Sequence, residues 1–128
     1  MRAAALTAKE KSVVAAADLG RLATVSKDGW PHVVPVSYVY SDGMFYVPSG
    51  EDTVKVGNLK RSPRATIVID DEEEGCGVML ECDSKVVPAV EAEKWRRYMR
   101  DVKGWQNDRR TAVIRLKPVR KSSWFLKG

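Results

Sequence analysis

The first half of the chain alternates short β-prone runs with glycine turns, and this rhythm restricts the fold more than any other feature. Arg21-Leu-Ala-Thr-Val-Ser-Lys27 reads as a strand. Asp28-Gly29 follows as a tight hairpin turn, because glycine accepts the positive φ that such turns require. A second strand is predicted from His32 to about Tyr40, carrying Val33, Val34, Val36 and Val39. Ser41-Asp42-Gly43 then turns the chain into a third, Met44-Phe45-Tyr46-Val47. Strands joined by turns this short should pair antiparallel in meander order, within a barrel or a sandwich.

The remaining elements fit around that frame. Thr7-Ala8-Lys9-Glu10 has the form of a capping box and should open a short helix running to about Asp18. Pro48-Ser49-Gly50-Glu51-Asp52 breaks the strand pattern, and Thr53 to Arg61 reads as a helix stopped before Pro63. Ala65 to Ile69 is a fourth strand, apolar on both faces and so expected at the centre of a sheet. The acidic run Asp70 to Glu74 reads as a solvated loop, and a fifth strand starts at Gly77 and extends as far as Val87. Pro88 opens a second long helix to about Lys103, with Ala92, Trp95, Tyr98, Met99 and Val102 on one face and Lys94, Arg96, Arg97 and Arg100 on the other. Thr111 to Leu116 is a sixth strand, with Ser123 to Leu126 an edge extension. The sum is a mainly β chain, a six-stranded antiparallel barrel with short helices at its ends. Its 128 residues suit a single domain spanning 1–128.

Composition removes several classes. No apolar run approaches the ~18 residues of a membrane helix. The start, Met1 to Leu6, is too short for a signal peptide's apolar region, so a cytoplasmic location is expected. Cys76 and Cys82 on one strand would lie about 20 Å apart, too far for a disulfide, and lack the spacing of a zinc site; no metal is expected. Net charge is +5, from 22 Lys and Arg against 17 Asp and Glu, and five of the acids form the run 70–74. The rest is therefore strongly basic, above all residues 94–128, and should attract something anionic: nucleic acid, a phosphate-bearing small molecule, or solvent alone. Basic and aromatic residues do not interleave as single-strand binding requires, which makes nucleic acid the weaker choice.

Dedicated catalytic side chains are scarce, and none is assigned. His32 is the lone histidine, and no nucleophile elbow, Walker loop or dinucleotide fingerprint is present. An enzyme built this way would leave the chemistry to a cofactor. The most informative stretch runs from Val47 to Leu59. A strand ends, small polar residues turn the chain, and a helix begins with Thr53 at its cap and Lys55 in its first turn. A cation there opposes the helix dipole by about 0.3–1 kcal/mol, and a bound anion would reverse the penalty. Ser49, Thr53, Lys55 and the free N–H groups would then form a phosphate site; a plain threonine cap with a solvated lysine explains the same residues. Pro35, inside a predicted strand, marks an edge or bend with exposed backbone.

Gly20-Arg-Leu-Ala-Thr-Val-Ser-Lys-Asp-Gly-Trp-Pro-His-Val-Val-Pro-Val36, Gly43-Met-Phe-Tyr-Val47 and Thr53-Val-Lys-Val-Gly-Asn-Leu-Lys-Arg-Ser-Pro63-Arg64 together resemble the pyridoxamine 5'-phosphate oxidase-like, FMN-binding split-barrel superfamily. Gly104-Trp105, Arg110 to Pro118 and Ser123-Trp124 are similar to its small archaeal and bacterial members. The resemblance implies a split barrel, homodimeric, with FMN in a groove at the subunit interface and a small-molecule electron donor or acceptor. It implies that His32, Val33, Val34, Pro35, Val36 and Ser37 line the flavin ring and that Ser49, Thr53 and Lys55 hold the phosphate. Trp105 or Trp124 would cover the ring from the partner subunit, or simply pack in the core. Val54 stands where the oxidases have a further arginine, and Ser37 where they have a basic residue. The chain also leaves no room for the longer C-terminal sequence that recognises the pyridoxal substrate, so another substrate is expected. Other branches of the superfamily bind a deazaflavin coenzyme or haem, and a single histidine disfavours haem.

Overall fold

The computed structural model describes residues 4–126; Met1 to Ala3, part of the stretch weighed above against a signal peptide, lie outside the described residues. Helix α1 (Ala8–Ala16) precedes strands β1 (Gly20–Val25), β2 (Pro31–Val36), β3 (Val39–Ser41) and β4 (Met44–Gly50). Helix α2 (Val54–Arg61), β5 (Arg64–Asp71), β6 (Cys76–Val86), α3 (Ala89–Asp101) and β7 (Thr111–Phe125) follow. The strands form one antiparallel sheet in the order β2-β1-β5-β6-β7-β4-β3.

That order forces the sheet to curl. Laid flat, seven strands would put β2 and β3 about 29 Å apart. Only Ser37 and Tyr38 join them, and the Cα trace from Val36 to Val39 spans at most about 11 Å. The result is the expected split-barrel architecture, with seven strands rather than six. The stretch predicted as one strand from His32 to Tyr40 is two, and they lie on opposite edges of the sheet. The meander order fails at the same place: β1 pairs with β2 and β3 with β4, but β4 goes on to pair with β7. The break sits at Tyr38, whose ring is buried and whose hydroxyl donates to the Val14 and Ala17 carbonyls at 2.6 and 3.3 Å. Burial, with Asp18 nearby, pushes that phenol up to about 12.

The two predicted turns hold. Gly29 and Gly43 have φ of 85° and 79°, and Asp42 precedes Gly43 at 51°. Residues 111–126, expected as a strand and a separate extension, are one strand to Phe125. Pro118 is accommodated at a bulge, where Glu81 faces Arg120 but Cys82 faces Pro118, leaving Val119 extra. Likewise β4 continues through Pro48 and Ser49, read above as a break, because Pro48 to Gly50 pair with Val113 to Thr111. Asp70 and Asp71 belong to β5, so only the later acids of the run form the turn to β6.

The concave face holds the main core: Leu22, Val36, Phe45, Val47, Ile67, Ile69, Val78, Leu80, Ile114 and Leu116, closed by Leu6, Val13 and Val14 of the α1 segment and by Val56 and Leu59 of α2. A second cluster lies under α3, where Ala92, Trp95 and Met99 pack on Val39, Tyr46 and Val113, with Tyr46 stacked on Trp95 at 3.9 Å. The buried stripe of α3 departs from the predicted one. Arg96 is buried with it, donating to the Thr111 carbonyl at 2.9 Å and paired with Glu93 at 3.0 Å, whereas Tyr98 and Val102 are exposed. The capping box forms as predicted: Glu10 N–H donates to Thr7 Oγ1 at 3.1 Å and Thr7 N–H to Glu10 Oε1 at 2.8 Å. Both cysteines are free, Cys82 buried and Cys76 half-buried.

Candidate functional site

Ser49 is the penultimate residue of β4, facing Ala112 across the pair with β7. Four residues later the chain has turned and α2 has begun. Thr53 is the N-cap residue, but its hydroxyl makes no capping bond. It donates instead to the Gly50 carbonyl at 2.9 Å and lies 2.7 Å from Ser49 Oγ, which itself reaches the Gly50 carbonyl at 3.1 Å. The two hydroxyls therefore lock the turn, and the first N–H groups of α2 have no side-chain cap, with no acidic residue in the first turn. Lys55 sits in that turn, half-buried, and makes no ion pair among the described residues. Burial lowers the pKa of its ammonium below the ordinary lysine value. Dipole, desolvation and the missing counter-charge all make this a place where an anion would be stabilised. The hydroxyls of Ser49 and Thr53 are thus brought together, and Lys55 lies two residues further on, in the first turn of α2.

The second half of α2 carries a device that the sequence reading gave no role. Asn58 is buried, donates from Nδ2 to Thr24 Oγ1 at 3.0 Å and accepts from Arg61 Nη2 at 3.0 Å. Arg61 also donates to the Val25 carbonyl at 3.2 Å. This network pins α2 to β1 and so sets where its N-terminus points. An asparagine on the apolar stripe between Val56 and Leu59 was the available signal.

Across β1 from that network, Thr24 faces His32 on β2. β2 is an edge strand, which suits Pro31 and Pro35. Its side chains alternate: His32, Val34 and Val36 turn inward, Pro31, Val33 and Pro35 outward. One planar ligand therefore cannot meet all six side chains from His32 to Ser37. Val36 is a core residue and Val34 packs against the same core. His32 Nδ1 is shielded from solvent and has no hydrogen-bond partner among the described residues.

Trp124 lies elsewhere. It faces Gly77 near the far end of β7, about 40 Å of strand from Ala112. Its indole lies so close over Gly77 that an added Cβ would come within 2.7 Å of Cε2. Within one chain it does not join the anion cradle. Trp105 packs against the cluster under α3. A groove of about 720 Å³ lies between α1 and the acidic turn, lined by Lys9, Phe125 and Asp70 to Glu74. It contains none of the cradle residues. Among the described residues no group of His, Cys, Asp and Glu is arranged to hold a metal. No described helix is long and apolar enough to cross a membrane.

The sequence pattern of the pyridoxamine 5'-phosphate oxidase family matches residues 6–125. The chain belongs to that family. The match takes in both halves of the curled sheet and all three helices. Solved structures agree on the fold. A Clostridium acetobutylicum protein of the pyridoxinephosphate oxidase family is 14% identical, with a TM-score of 0.77 over 94% of this chain and 88% of that one. A FAD-binding protein from Mesorhizobium loti is 25% identical, with a TM-score of 0.73 over 96% and 97%. An F420 reductase is 17% identical, with a TM-score of 0.76 over 91% and 98%.

Proposed function

We propose that the chain is an FMN-binding flavoprotein, an oxidoreductase working as a homodimer on a small-molecule electron donor or acceptor. The observation that carries this reading is Lys55: a half-buried ammonium without a carboxylate partner among the described residues, at an uncapped helix start beside two hydroxyls. These residues fit a phosphate monoester. Lys55 would pair with it, the first α2 N–H groups would donate to it, and Ser49 and Thr53 would donate in exchange for their bonds to Gly50. The flavin, when bound, supplies the electron transfer. The chain's part is to hold and orient it, with the open backbone edge of His32 to Ser37 along the ring and the unpartnered His32 Nδ1 available to it.

Pairing of two chains is supported by what one chain leaves uncovered. Trp30 and Val33 of the β1–β2 hairpin are 74% and 58% exposed, Val25 adds to that hairpin, and Val54 at the start of α2 is 58% exposed. Thr53 and Lys55 are only partly covered on one chain, which suits a cofactor shared with a second, and Trp124 would reach the ring from the partner. Free thiols suit the reducing cytoplasm. Six of the eleven described basic side chains of the C-terminal region meet carboxylates, which weakens the case for nucleic acid: Arg96 and Arg100 with Glu93, Arg110 with Glu51 and Asp52, Arg115 with Glu91, Arg120 with Glu81, Lys121 with Glu10.

Titration with FMN and with riboflavin tests the phosphate cradle. Lys55→Ala should weaken FMN binding about 10- to 100-fold, the loss of a charge-assisted hydrogen bond, and leave riboflavin nearly unchanged. Equal losses for both ligands, or none, would refute the assignment. The likeness to an F420 reductase favours a deazaflavin as the second reading, and tighter binding of that coenzyme than of FMN in the same titration would establish it.

A further inference from the structure

We propose that Arg110 keeps Lys55 free for an anion by holding Glu51 and Asp52 away from it. This rests on the reading of the Ser49–Lys55 turn as an anion site. The two acids immediately precede the cap residue Thr53, so their Cα atoms lie within about 8 Å of it. A helix start attracts carboxylates, and a half-buried ammonium two residues further on attracts them more. Left alone, such a turn would neutralise itself. In the structure neither acid pairs with Lys55. Arg110 takes both, Nε on Glu51 Oε1 at 3.1 Å and Nη2 on Asp52 Oδ2 at 2.9 Å.

The backbone is tied in the same sense. Glu51 N–H donates to the Arg110 carbonyl at 3.1 Å, Gly50 faces Thr111 at the end of the β4–β7 ladder, and Arg110 N–H donates to Asp108 Oδ1 at 2.8 Å. The guanidinium divides its donors between two carboxylates, which a lysine ammonium does less well. The side chains of Arg110, Glu51 and Asp52 are 66%, 48% and 79% exposed, so the bridges add little to stability. Their effect lies in the local field: Arg110 balances one of the turn's two negative charges and holds both carboxylates, so Lys55 remains as uncommitted positive charge. Arg110 is a positioning residue and need not touch the ligand.

The test reads Lys55 in the ligand-free protein. Limiting acetic anhydride and mass spectrometry give the fraction of Lys55 acetylated as pH is raised, and FMN affinity is measured on the same samples. Arg110→Ala should shift Lys55 acetylation to higher pH and slow it about three- to tenfold at pH 8. FMN binding should weaken by a similar factor at low salt, and the difference should shrink at high salt. The triple variant Arg110→Ala, Glu51→Gln, Asp52→Asn should restore both, and Glu51→Gln with Asp52→Asn alone should match or exceed the parent chain. Arg110→Lys should fall between. Unmoved Lys55 acetylation in Arg110→Ala would overturn the inference, and so would a triple variant as impaired as Arg110→Ala, which would leave Arg110 a mechanical strut. If Lys55 responds as described while Lys55→Ala leaves FMN binding intact, the role of Arg110 stands and the phosphate reading falls.

Discussion

Replacing Glu10 by Gln isolates one charge without disturbing the shape of α1. Glu10 is buried and its Oε1 lies 2.7 Å from the Lys121 ammonium, which also donates to the Ala5 carbonyl at 2.7 Å. Burial alone would raise the carboxyl's pKa, but Lys121 and the Thr7 N–H more than offset it and bring the value from 4.5 down to about 2. A difference of that size corresponds to about 3.4 kcal/mol at ~1.36 kcal/mol per pH unit. Glu10 is buried but the Lys121 side chain is 28% exposed, so solvent screening brings the expected contribution to about 1–2 kcal/mol. The folded pKa is the lower one. The stabilisation is therefore full above pH ~4.5 and is lost as pH falls toward 2. Gln keeps an oxygen for the Thr7 N–H but offers Lys121 no charge. At pH 7 Glu10→Gln should lower Tm by about 4–7 °C, given an unfolding entropy near 270 cal/mol/K for a chain of this length. In thermal melts from pH 7 to pH 2 the gap between the two proteins should close between about pH 5 and pH 2. A gap that stays constant over that range would refute the electrostatic account and leave only a packing effect.

Three further outcomes follow from named contacts. Asn58→Ala should destabilise the fold by about 1–3 kcal/mol in urea denaturation, because it removes a partner from the buried Thr24 hydroxyl. It should also weaken FMN binding, since α2 loses its anchor on β1. Gly77→Ala should cost about 1–3 kcal/mol by forcing the Trp124 indole aside, and the added cost should largely vanish in a Trp124→Ala background. In the folded protein at pH 8, iodoacetamide should modify Cys76 well before Cys82, whose thiol is pushed up to about 12 by burial, with Asp83 and Glu81 adding to it; peptide mapping reads the order.

What could be read from the sequence was written in local chemistry. Asp28-Gly29 and Asp42-Gly43 announce their turns because only a few residues accept those backbone angles, and Thr7 with Glu10 announces a helix start. The Ser49, Thr53 and Lys55 cluster was legible for the same reason, lying within seven residues of chain. What depends on distant partners was not. Nothing within 31–41 says that the strand divides between two edges; that follows from Tyr38 anchoring α1 and from β4 finding β7. Arg96 looks like one more solvated charge until the Thr111 carbonyl, brought close by β7, gives it a buried partner. The threonine at 53 suggested a plain cap, yet the Gly50 carbonyl and Ser49 compete for its hydroxyl and win. Arg110 meets Glu51 and Asp52 only because Gly50 and Thr111 pair, a contact between opposite ends of the chain's pattern.

The two-residue link at Ser37 and Tyr38 also has a consequence for the order of assembly. The hairpins β1–β2 and β3–β4 are local and can form within microseconds of each other. Docked, they must face away from one another, one at each end of the sheet. The second hairpin has no neighbour until β7 arrives from about 70 residues downstream. Until then the inner edge of β4 is an unpaired strand, open to pairing with another chain. Folding should therefore be slow for its size and governed by the arrival of β7. Aggregation during refolding should be most acute in that interval, and changes that delay β7, at the Val119 bulge or at Gly77, should worsen it more than changes of equal cost in β1 or β2.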